Sequence, residues 1–160
     1  MARVGKGGQR SMTWIVFAVG AFLSWGLYGA MLHESQLRLG SPMRAMLCVG
    51  VAYIVLGLLV PAAALWSQGG PGGFSRAGAT IGIVAGVLGA LGALSIIYSF
   101  RAGGSPAVVM PLVFAGAPVV NVLYAMWHNP PKQPVSPLFY VGILLAAAGA
   151  GMVLYFKPQP

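Results

Sequence analysis

Most polar side chains of this chain of 160 residues gather at its two ends and in four short connectors, and the stretches between are predominantly apolar. The apolar stretches run from Thr13 to Leu32, Pro42 to Trp66, Ala77 to Gly103, Pro106 to Trp127 and Pro137 to Phe156. A hydrocarbon core about 30 Å thick takes about 20 helical residues at roughly 1.5 Å each, and every stretch reaches that length. None shows the segments of about ten alternating residues that mark strand-built spans. The pattern predicts an all-α membrane protein with five transmembrane helices over residues 13–156. A basic tail, residues 1–12, precedes them, and residues 157–160 form a short tail behind. Pro42, Pro106 and Pro137 stand at helix starts, where the missing amide proton of proline costs nothing. The connectors are His33 to Ser41, the Gly-rich Ser67 to Arg76, Gly104 with Ser105, and the proline-stiffened His128 to Ser136.

Composition narrows the class. Hydrophobic residues are 58% of the chain and charged residues 6%, against about 25% charged in a soluble domain, so no sizeable water-soluble domain fits. Arg3, Lys6 and Arg10 before an apolar run suggest a cleaved leader. That run is long, however, and carries Trp14, Trp25 and Tyr28 with no small-x-small cleavage site, so we expect an anchor. Cys48 is the single cysteine, which leaves no intramolecular disulfide and no cysteine metal cluster; we read it as a packing residue. The net charge of +8 is dispersed and forms no basic helix, so we expect headgroup anchors and no nucleic-acid partner. With the N-terminus inside, Arg3, Lys6, Arg10, Arg76 and Lys132 collect on the inner face and Arg38, Arg44, Arg101 and Lys157 on the outer. The cluster before the first span favours a cytoplasmic N-terminus in the cytoplasmic membrane, and the near balance leaves insertion in both orientations open.

Within the spans, small residues form ridges. Gly78, Gly82, Gly86 and Ala90 recur every four residues, with Ala85, Gly89 and Ala93 beside them, and Gly142, Ala146 and Ala150 repeat the device in the fifth span. Such faces let helix backbones approach closely, and they imply a compact bundle. The fourth span carries Pro111 and Pro118 on roughly one face, each removing an internal hydrogen bond, so we expect local kinks there. Asn121, one turn beyond, either satisfies a freed carbonyl or faces a polar cavity. Ser95, Tyr98 and Ser99 share a face of the third span. Together with Asn121, and with Trp25 and Tyr28 of the first span, they are the candidates for a substrate pathway. The opposing reading is that the serines bond their own helix and the aromatics sit at the interface. Glu34, the only acid, is the candidate coupling residue, set against an interfacial carboxylate paired with Arg38. His33 and His128 fall on opposite faces, so we expect no shared metal. Without a P-loop, dinucleotide fingerprint, paired carboxylates or a Cys/His cluster, we expect neither catalysis nor a cofactor.

The run from Gly89 to Tyr124, GALGALSIIYSFRAGGSPAVVMPLVFAGAPVVNVLY, resembles the third and fourth helices of an EamA-type repeat in the drug/metabolite transporter superfamily. In that repeat a helix ends in a small basic turn and Ser-Pro-Ala-like residues open a helix with a central proline. Arg101, Ser105, Pro106, Ala107, Pro111 and Pro118 occupy those places here. The last span is similar to the repeat's final helix, ending at Lys157, and SWGLYG from Ser24 to Gly29 resembles its first-helix motif, nearest the sugar-porter branches. The fourth helix lacks the glycine-glutamate pair of many members; AMWHNPPKQP stands in its place, which removes the acid that would couple transport there. Most members have ten helices in two inverted repeats, and this chain holds one. The resemblance implies a half-size transporter that works as a homo-oligomer, such as an antiparallel dimer, or with a homologous half-transporter. It would move a small polar solute, a sugar or amino-acid derivative, by alternating access. The alternative is a non-transporting integral membrane subunit or scaffold. The balanced charges predict activity from both a cytoplasm-active and a periplasm-active reporter fused after Pro160. Activity from one alone would fix a single orientation and eliminate the self-sufficient inverted dimer.

Overall fold

A computed structural model describes residues 7–156 apart from Pro71, with side chains from Thr13 onward. The basic residues Arg3, Lys6 and Lys157, and the side chain of Arg10, lie outside the described residues. Every regular element among the described residues is a helix: α1 (Gly7–Leu39), α2 (Pro42–Ser67), α3 (Arg76–Arg101), α4 (Pro106–His128) and α5 (Pro137–Tyr155). All five contain a segment long and apolar enough to cross a membrane.

The connectors are where the structure revises the sequence reading. Residues 33–39, expected to lie in a connector, are the last two turns of α1. No proline or glycine interrupts them, and Glu34 bonds Arg38 one turn on, the spacing that supports a helix face. The helix ends at Gly40, whose φ of +62° is the left-handed conformation that only glycine adopts at little cost. At 33 residues α1 is about 50 Å long, longer than a bilayer core requires. α3, by contrast, ends at Arg101, two residues short of the expected Gly103, which has φ +94° and takes part in the turn instead.

Winding adds a feature that the sequence reading does not contain. α4 stays α-helical from Pro106 to His128 through both Pro111 and Pro118. The interruption lies in α2, where Val55–Leu59 is wound as a π-helix and Val60 donates its amide to the carbonyl of Val55, five residues back. Pro61 accounts for it physically. It has no amide proton to give, and its ring presses on the carbonyl four residues earlier, so the preceding turn widens.

The chain divides into two compact units, Met1–Arg101 and Ala102–Pro160. In the first, α1, α2 and α3 each touch the other two. The core sits at one end, where α1 finishes, α2 begins and α3 finishes: Leu32, Ala45, Ala93, Ile96, Ile97 and Phe100 are buried there. Away from that end large apolar side chains stay exposed, including Trp14, Phe17 and Leu27 on α1, Leu56 on α2 and Ile81 and Leu88 on α3. The second unit is a hairpin of α4 and α5 joined through residues 129–136. Ser136 caps α5 by accepting from the amide of Leu138, and Pro137 opens the helix.

The small-residue ridges are unfilled. Apart from the adjoining backbone of its own helix, nothing among the described residues comes within 4 Å of where a Cβ would stand at Gly82, Gly86, Gly89 or Gly142. Within each unit these rows stay mostly open; only Ala93 and Ala150 of them are buried. Ile97 is fully buried, at 0% exposed, and Ile97→Ala should cost about 2–5 kcal/mol, measured as reduced resistance to thermal or denaturant unfolding in detergent.

Candidate functional site

A groove of about 760 Å3 lies between α1 and α2 in the first unit. Helical spacing builds both walls: Trp25, Tyr28 and Met31 recur every three residues on α1, and Cys48, Ala52 and Leu56 recur every four on α2, with Tyr53 beside them. Leu56 belongs to the π-helical segment, so the irregular turn of α2 forms part of the wall. The ring centroids of Trp25 and Tyr28 lie 5.9 Å apart with planes tilted by 51°, a favoured aromatic arrangement. The Tyr28 hydroxyl is buried without a hydrogen-bond partner among the described residues. No charged side chain lines the groove. Its chemistry is that of aromatic faces, a phenol hydroxyl poised for a partner, and a polar rim from Ser24 and Ser35.

Two sequence-named candidates, Trp25 and Tyr28, thus meet in one recess. Tyr53 and Cys48 join them from α2. Cys48, read from sequence as a packing residue, is instead exposed with a free thiol. The signal for both was available, since Ala45, Cys48, Val49, Ala52, Tyr53 and Leu56 follow one helical face, but an apolar helix gives no reason to prefer one face over another. Pro61, in the middle of an apolar span, was the visible mark of the irregular turn.

Ser95, Tyr98 and Ser99 are on α3 and are not among the groove's lining residues. Their hydroxyl chemistry is local: Ser95 Oγ donates to the carbonyl of Leu91 at 2.8 Å and Ser99 Oγ to that of Ser95 at 2.9 Å. Such back-bonding is how a helix absorbs a serine in apolar surroundings. Tyr98 is 49% exposed. Asn121 belongs to the second unit, where it lines a recess of about 370 Å3 with Val122, Ala125, Pro131 and Phe139, beside the proline-rich loop. Pro111 and Pro118 precede it in the same helix.

Glu34 makes the contact its spacing suggested. Arg38 Nε donates to Glu34 Oε1 at 2.6 Å, with both side chains largely exposed. His33 sits edge-on against Phe100, centroids 5.1 Å apart, in the first unit. His128 stacks on Tyr124 in the second, with centroids 5.6 Å apart and planes within 10°.

Compared with family models, with curated proteins and with solved structures, the chain finds no match.

Because the hydroxyls of Ser95 and Ser99 are satisfied within α3, Ser95→Ala and Ser99→Ala should each shift stability by no more than about 0.5 kcal/mol. Thermal unfolding in detergent measures this. A loss above about 2 kcal/mol would place either hydroxyl against a partner helix, at the upper end of what such bonds contribute.

Proposed function

We propose that the chain is one half of a transporter of the cytoplasmic membrane, with the N-terminus in the cytoplasm, that moves a small uncharged polar solute such as a sugar or amino-acid derivative. The observation that carries this reading is the α1–α2 groove: an uncharged recess with aromatic faces and an unpartnered buried hydroxyl, bounded by a turn of irregular helix. Aromatic rings give broad contact at low entropic cost, and a buried hydroxyl without a partner favours a ligand that supplies one. The π-helical turn gives α2 a joint at the groove wall, the kind of irregular backbone that midplane sites use. Alternating access would open and close the groove about that joint. The resemblance to an EamA-type repeat adds the expectation of a second half, supplied by another copy or a homologue.

A second reading has its own observation. The unfilled ridges of α3 and α5, together with the broad apolar exposure of α1, are surfaces suited to a permanent partner, as in a non-transporting subunit. Reconstitution separates the two. The purified chain in proteoliposomes should support counterflow of a radiolabelled neutral sugar or amino-acid derivative. Trp25→Ala should abolish it, Tyr28→Phe should lower it by up to about tenfold through loss of one buried hydrogen bond, and Asn121→Leu should reduce uptake, whereas Ser95→Ala should leave it intact. Absence of flux across a solute panel, with one unrelated membrane protein co-purifying stoichiometrically, would favour the subunit.

A further inference from the structure

At the buried end of the first unit a second cavity, about 500 Å3, opens among His33, Gln36, Ser41, Phe100 and Arg101. Two of its side chains are incomplete. Gln36 Nε2 and His33 Nδ1 are buried without a hydrogen-bond partner, and Gln36 as a whole is only 9% exposed. A buried donor is costly to leave unpaired, and native chains keep few of them except where water, an ion or a ligand completes them. The edge-on contact with Phe100 fixes the imidazole against one wall.

Charge at this end has one dominant sign. Glu34 is the only acid in the chain, and Arg38 already holds its carboxylate. Arg44 donates through Nη1 to the carbonyl of Leu39 at 3.0 Å, covering the end of α1. Arg101, in the cavity wall, has no ion-pair partner among the described residues, and the chain has no second acidic side chain to provide one. α2 begins here with Pro42 at its first position and with Ser41 making no side-chain cap. Its first-turn amides and the positive end of its dipole are therefore left for another acceptor. The C-terminal ends of α1 and α3 contribute about half a negative charge each, which the full charges on Arg44 and Arg101 outweigh.

We propose that this cavity is an oxyanion site that binds a phosphate group. Arg101 supplies the charge and a forked donor, Gln36 Nε2 supplies a fixed donor, His33 supplies another in the tautomer that carries its proton on Nδ1, and the start of α2 supplies a third direction. A tetrahedral phosphate presents acceptor oxygens in several directions at once, which suits donors converging from three helices better than a planar carboxylate does. The phosphate is either the headgroup of an anionic phospholipid or a soluble phosphate, and the site does not depend on the transport reading.

The test uses the full chain in two settings. In zwitterionic detergent, inorganic phosphate is titrated against chloride at constant ionic strength while thermal unfolding is followed. In nanodiscs, phosphatidylglycerol is compared with phosphatidylcholine. Arg101 is exposed, so Arg101→Gln leaves the core intact, and Arg38→Gln serves as the control for general charge loss. Saturable stabilisation by inorganic phosphate, weakened about tenfold or more in Arg101→Gln and unchanged in Arg38→Gln, assigns the site to a soluble phosphate. Stabilisation confined to phosphatidylglycerol discs and lost in Arg101→Gln assigns it to a lipid headgroup. No preference for phosphate over chloride together with none for phosphatidylglycerol overturns the proposal, as does an equal response in wild type and Arg101→Gln.

Discussion

Main-chain hydrogen bonds inside five helices satisfy most of the polar backbone of this protein, and its architecture follows from the few places where that ladder is interrupted. An apolar chain has little else to pair its amides and carbonyls with, so the ladder persists until a residue forbids it. Gly40 and Gly103 end the pattern by taking positive φ. Pro61 does not end it; it forces a wider turn and the helix resumes. Pro111 and Pro118 are absorbed into continuous α winding. Proline in an apolar helix is thus a local demand on the turn before it, and neighbouring geometry settles whether that demand appears as a π turn or leaves the winding unchanged.

The distribution of burial is the second organising fact. In the first unit the buried side chains occupy one end, around Ile97 and Phe100, and the remaining lengths of its helices expose Trp, Phe, Leu and Ile to their surroundings. Monomeric soluble proteins rarely carry apolar patches larger than a few hundred Å2, so these helices are made for an apolar environment or for partner helices. The same geometry creates two different recesses. Toward the middle of α1 and α2 the groove is aromatic and uncharged; at the converging ends the cavity is polar and has Arg101 in its wall. One helix, α1, contributes to both, with Leu32 and Ser35 lining the groove and the adjacent His33 and Gln36 lining the cavity.

How much of this was legible in the sequence follows from the kind of signal each feature leaves. Length and apolarity locate helices, and the starts at Pro42, Pro106 and Pro137 are as the sequence reading has them, because proline at a first helical position leaves an unmistakable mark. The far end of α1 was harder. His33, Glu34, Ser35 and Gln36 read as a polar connector, yet none of them breaks a helix, and polarity marks an environment more reliably than it marks a conformation. The Glu34 contact to Arg38 was legible because it is local and set by four-residue spacing.

The candidate site shows the same division. That Trp25 and Tyr28 share a face was determined by the sequence alone, since both lie on one helix. That Tyr53, Cys48 and Leu56 stand opposite them, and that Gln36 and the Nδ1 atom of His33 are buried beside Arg101, were decided only by the tertiary structure. The physical reason is that an almost uniformly apolar helix has no polar face to announce its orientation. Its sequence states that it is a helix and how long it is, and the rotation that selects its inward side comes from packing against its neighbours.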